Sequence, residues 1–108
     1  MKLSDLDPHL MKRGDDTHWQ QVATLAEADG LQFLCPKCWE ANQGPKGTHS
    51  VLCWSPKVPQ TTSPTPGRWD MKGTGIADLT LVAGSSSVAL QGGCKAHFFI
   101  RNGEIINA

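Results

Sequence analysis

No apolar run in this 108-residue chain approaches the ~18 residues that a membrane-spanning helix requires. An excess of one charge is missing as well. Ten basic and ten acidic residues give a formal net charge of zero, so the whole molecule lacks the positive field of a generic nucleic-acid binder. Acidic groups outnumber basic ones in residues 1 to 29 and the balance reverses afterwards, a mild asymmetry that surface scatter explains. The opening Met1-Lys2-Leu3-Ser4-Asp5-Leu6-Asp7 lacks the basic start, apolar middle and small-residue cleavage site of a secretory signal. The expected location is therefore a reducing cytoplasm. Catalytic signatures are missing too: there is no His-Glu-x-x-His and no carboxylate pair near the cysteines. Gly84-Ser85-Ser86-Ser87 is not a nucleophile elbow, and Gly73-Thr74-Gly75 lacks the third glycine of a nucleotide fingerprint. Both read as turns, and nothing here predicts an enzyme.

What is present is a metal-ligand pattern. Cys35-Pro36-Lys37-Cys38 and Cys94-Lys95-Ala96-His97 offer three thiols and an imidazole in two closely spaced pairs. Zinc prefers four tetrahedral ligands of this kind, and a set closed by protein alone makes a structural site. A domain of this size buries only about 65% of its unfolded surface, so a metal cross-link would supplement a modest core. The expected ligands of one structural Zn2+ are thus Cys35, Cys38, Cys94 and His97. The competing reading of the first pair is a redox Cys-x-x-Cys, but that motif starts a helix inside a strand-helix-strand unit, which the pattern does not predict. The second pair carries a condition of its own. Residues three apart on a regular strand point to opposite faces, so Lys95-Ala96 must form a turn. His49 and Cys53 compete for the same positions; their plainer readings are a hydrogen-bonded scaffold group and a small core hydrophobe.

Along the chain, residues 1 to 16 read as an extended arm and residues 17 to 108 as a single zinc-stapled domain. Thr17 is a candidate N-cap, Trp19, Val22 and Ala26 share a helical face, and Gly30 would end a short helix. Leu31 to Leu34 reads as a strand that delivers the chain to the first cysteine pair. A second strand follows at 49 to 54, with His49, Val51 and Cys53 on one face. Residues 55 to 67, rich in Pro, Ser and Thr, predict a loop long enough to bind something or act as a flap. Short strands are expected at 68 to 72 and 78 to 82, a break at Gly84 to Ser87, an extended stretch at 88 to 91, and a turn at Gly92-Gly93. The C-terminal hairpin is the clearest element, since Asn102-Gly103 suits a type I′ turn. The fold class expected is β-rich α+β: a small antiparallel sheet, one short N-terminal helix and a C-terminal hairpin around a zinc site.

Trp39, Trp54, Trp69, Phe98 and Phe99 lie among Lys37, Lys57, Arg68, Lys72, Lys95 and Arg101, a mixture that a single-strand nucleic-acid platform would use. Core packing is the stronger account of aromatics in a small sheet. Taken together, Lys2 to Pro8, Gly30 to Cys38, Gly47-Thr48-His49, Pro66 to Trp69, Asp78 to Leu81 and Gly93 to Glu104 resemble a family of small phage and prophage proteins of unknown function, some carried under the label "ammonia monooxygenase". The chain departs from that family at Ala83-Gly84-Ser85, where a Pro-Ser pair is common. The resemblance implies phage origin, a zinc-binding β-rich fold, and metal-capable residues at Cys94 and His97. It implies no established reaction. Copper or iron oxidation would want an open, imidazole- or carboxylate-rich site, not three thiolates. The function expected is a phage-encoded protein-interaction module in the host cytoplasm, binding a host factor or a virion component. A nucleic-acid-binding zinc module is the alternative, and a metal-dependent enzyme the least favoured.

Overall fold

The computed structural model describes residues 1–13, 19–61, 67–83, 87–90 and 93–108. Its largest sheet is antiparallel with strand order β2-β1-β3-β4, formed by β1 (His9–Arg13), β2 (Trp19–Val22), β3 (Gly30–Leu34) and β4 (Ser50–Trp54). Period-two alternation sends Leu31 and Phe33 of β3 inward beside Val51 and Cys53 of β4, with Leu31 opposite Cys53 and Phe33 opposite Val51. Val51 and Cys53 alternate inward along β4 as expected, but Trp54, next in the chain, is fully buried as well. Gly30 opens β3 for a steric reason: a Cβ there would lie 2.5 Å from Cε3 of the buried Trp54 and 2.9 Å from the Cys53 carbonyl.

A helix was expected where β2 stands. Trp19 to Val22 instead pair with β1, with Arg13 opposite Trp19 and Leu10 opposite Val22. The proposed cap Thr17 lies outside the described residues. What remains of a helical tendency is one turn, in which Thr24 Oγ1 accepts the Glu27 N–H at 3.4 Å and the Ala28 N–H reaches the Leu25 carbonyl at 3.1 Å. Pairing with β1 outweighs a weak local propensity, because a short helix with few contacts cannot repay its nucleation. Among the described residues the α-helix is α1 (Pro36–Asn42), which begins at the first cysteine pair.

Nor do the first residues form a loose arm. A 3-10 turn at Leu3–Leu6 and strand β1 bring Leu3, Leu6 and Leu10 into the core, the first two with no exposed surface. The Leu3 N–H donates to the Gly103 carbonyl at 2.8 Å and the Ile105 N–H to the Met1 carbonyl at 2.9 Å. Three leucines at these spacings carry enough apolar surface to outweigh the Asp-Pro punctuation between them.

Two smaller antiparallel sheets stand beside it among the described residues: β5 (Asp70–Lys72) with β6 (Thr80–Val82), and β7 (Ser87–Ala89), β8 (His97–Arg101) and β9 (Glu104–Asn107) in that order. Asn102 and Gly103 join β8 to β9 with φ of 52° and 75°, as a type I′ turn demands. A Cβ on Gly103 would fall onto the Ala77 carbonyl oxygen. The inner face of β8 presents Phe98 and Ile100, and Phe98 meets Phe33 edge to face with ring centroids 5.9 Å apart. That contact joins the last sheet to the first. Of the long Pro-rich loop, the described part is anchored rather than free: Val58 is buried, and Arg68 Nε donates to its carbonyl at 2.9 Å. Residues 62–66, the break at Gly84 to Ser86 and the Gly92 end of the predicted turn lie outside the described residues. Among the described residues no helix is long and apolar enough to cross a membrane.

Candidate metal centre

Cys35 is the N-cap of α1, in extended conformation after β3, and Pro36 takes the first helical position, where its missing N–H costs nothing. The Trp39 N–H donates to the Cys35 carbonyl at 2.9 Å. Cys38 therefore lies one helical turn beyond Cys35, on the same side. The pair does start a helix, as a redox motif would, yet the strand that follows, β4, is antiparallel to β3 and not the parallel partner of a strand-helix-strand unit. Just beyond the β3–β4 ladder, the Cys35 N–H donates to the His49 carbonyl at 2.9 Å. This bond sets His49 beside the cysteines. From far along the sequence, Cys94 arrives on a turn in which Gly93 and Lys95 take φ of 59° and 52°. Lys37 Nζ donates to the Cys94 carbonyl at 2.7 Å and fastens that turn to α1.

One ligand atom each from Cys35, Cys38, His49 and Cys94 lies within 4.8 Å of all the others. Cys35 Sγ is 3.6 Å from Cys94 Sγ, and His49 Nε2 is 3.4 Å from Cys94 Sγ. Tetrahedral ligands about 2.3 Å from a zinc ion stand roughly 3.8 Å apart. The cluster can hold a metal ion with that geometry after small adjustments. The inner side is sealed, since Cys35 has no exposed surface, while Cys38 and Cys94 are partly exposed and His49 faces solvent.

The chain matches no family model, no curated protein and no solved structure.

Three of the four expected ligands, Cys35, Cys38 and Cys94, are thus brought together, and the imidazole beside them is that of His49, not His97. The reason lies in strand geometry. The turn at Gly93 to Lys95 is complete before β8 starts, so Ala96 and Phe98 point inward and His97 is left exposed on the outer face with Phe99 and Arg101. There it lines a surface pocket with Lys37, Glu40 and Asn107. The signal for His49 was its place just before β4, in the alternation that continues through Val51 and Cys53, although the imidazole itself is exposed. Cys53 stays out of the cluster. It is 1% exposed on β4, and burial pushes its thiol far up.

The electrostatics of the four side chains divide them. Burial pushes the Cys35 thiol up to about 11, and burial together with the neighbouring Cys94 also raises Cys38. Cys94 goes the other way: the His49 hydrogen bond draws it down to about 6, and the same bond raises His49. By itself the cluster favours a Cys94 thiolate hydrogen-bonded to His49, with thiols behind. A divalent cation held by these residues would displace the thiol protons and offset the charge of the three sulfurs.

Proposed function

We propose that this chain is a structural-zinc protein acting as a protein-interaction module. The observation that carries the zinc reading is the convergence of Cys35, Cys38, His49 and Cys94 from three separate segments to within 4.8 Å. Soft thiolates with one imidazole select zinc over magnesium or calcium. Four protein ligands would leave no coordination position for water or substrate, which favours a staple over a hydrolytic centre. The staple would tie the β3–α1 junction, the head of β4 and the approach to β8 to one ion.

An interaction role draws its support from the outer face of β7–β8–β9. Phe99 stands opposite Ser87 and Ile106, with the Arg101 guanidinium 5.2 Å from its ring, and Ile106 is 38% exposed. Exposed apolar groups beside arginine and an aromatic ring are the composition of protein-binding patches. The resemblance to small phage and prophage proteins extends this to a phage-encoded module whose partner is a host or virion protein. Nucleic-acid binding is the second reading, favoured by the same Phe99–Arg101 pair. It is weaker because Trp54 and Phe98 are buried, Trp69 Nε1 donates to the Ser87 carbonyl, and Glu104 sits opposite Arg101.

Native mass spectrometry with thermal unfolding before and after a strong chelator tests the metal. One zinc per chain with a large loss of stability on chelation is the expected result; a folded chain that takes up no zinc would overturn it. For the partner, affinity capture should depend on Phe99 and Arg101. Salt-sensitive binding to single-stranded nucleic acid at low ionic strength would favour the second reading instead.

A further inference from the structure

We propose that Cys35 and Cys94 form a redox modification site, at which a hydroperoxide joins the two sulfurs as a disulfide and ejects the metal they help to hold. The proposal rests on the zinc reading above and adds its regulation. The sulfurs are already in contact at 3.6 Å, and a disulfide requires about 2.05 Å, so closure asks one of them to move by ~1.5 Å. Cys94 is the one placed to move. It is partly exposed in a turn of positive-φ residues, whereas Cys35 is fully buried and pinned through both backbone groups, its N–H to His49 and its carbonyl to Trp39.

The same asymmetry assigns the chemistry. The outer Cys94 thiolate attacks hydrogen peroxide, its sulfur gaining one oxygen as the O–O bond breaks; with one proton from solvent taken up by the departing hydroxide, the products are a sulfenic acid and one water. The inner Cys35 thiolate then attacks that sulfur: the S–S bond forms, the S–O bond breaks, and the departing hydroxide takes a proton to become a second water. Two thiolates have lost two electrons, and the peroxide has gained them. Cys38 and His49 remain, and two donors do not hold zinc at a four-ligand site. Cys53 takes no part, being buried on the inward face of β4 and outside the donor cluster. The new bond spans 59 residues and keeps the end of β3 tied to the approach to β8, while α1 and the head of β4 lose their share of the staple.

The test treats the reduced, zinc-loaded full chain with hydrogen peroxide, follows zinc with a chromogenic chelator, and maps the cross-link by peptide mass spectrometry. The expected result is one zinc released per disulfide, a Cys35–Cys94 cross-linked peptide, Cys53 still a thiol, and recovery on adding a dithiol with zinc. Cys53→Ser should release zinc at the same rate. A dominant Cys35–Cys38 bond, sulfinic acids without a disulfide, or zinc retained while a free thiol in the same tube is oxidised would each overturn the switch alone. A reduced chain that takes up no zinc overturns the zinc reading and the switch together.

Discussion

At the residue scale, the two imidazoles near the cysteines separate the metal reading from its alternatives. His49 Nε2 lies 3.4 Å from Cys94 Sγ, while His97 is exposed on the outer face of β8. His49→Ala should therefore weaken zinc by ~100-fold or more, the loss of one of four ligands, and His97→Ala should leave affinity within about two-fold. Competition with a calibrated chelator measures both. The proton inventory gives a second prediction. With Cys35 raised to about 11 and Cys38 raised as well, both are thiols at neutral pH and must lose their protons when zinc binds. Zinc affinity should thus rise with pH, with at least about two protons released per ion, and weaken further as pH falls toward the Cys94 value of about 6. Calorimetry in buffers of different ionisation enthalpy reads that number. Three of the clustered residues were legible from spacing alone. The imidazole was not, because the choice between His49 and His97 depends on whether the turn after Cys94 closes before β8 begins, and that is fixed by contacts such as the Lys37 bond.

At the scale of elements, the hairpin at Asn102-Gly103 was readable because its demand is local: two consecutive residues must accept positive φ. Its second constraint is not local, since the turn lies against the Ala77 carbonyl and the Gly103 N–H donates to the Leu79 carbonyl at 2.8 Å. Gly103→Ala should cost about 2 kcal/mol or more in chemical denaturation, well above an ordinary surface substitution. The strand β2 was unreadable for the opposite reason. Nothing in Trp-Gln-Gln-Val rejects a helix, and only the availability of the β1 edge decides the outcome. A similar point holds for Asp78, whose carboxylate accepts the Thr74 and Gly75 N–H groups at 2.9 Å. Those bonds lower its pKa, so its contribution is present above the ordinary aspartate range and fades as pH falls through the depressed value. Asp78→Asn should accordingly flatten the acid limb of a stability–pH curve.

For the whole molecule, the first ten residues supply three leucines, Leu3, Leu6 and Leu10, to the core. Leu6 has no exposed surface, and Leu6→Ala should cost ~2–5 kcal/mol, measured by thermal or urea unfolding of the zinc-loaded chain. A loose arm would lose almost nothing. The bond from the Cys35 N–H to the His49 carbonyl also bears on the order of assembly. It sits at the end of the β3–β4 ladder, so pairing those two neighbouring strands brings Cys35, Cys38 and His49 together using only short-range closure, which costs little chain entropy. Cys94 belongs to a much later part of the chain. A growing polypeptide would present a three-donor half-site before its last sheet exists, and an ion captured there would wait for the fourth ligand, so that metal acquisition begins folding rather than completing it.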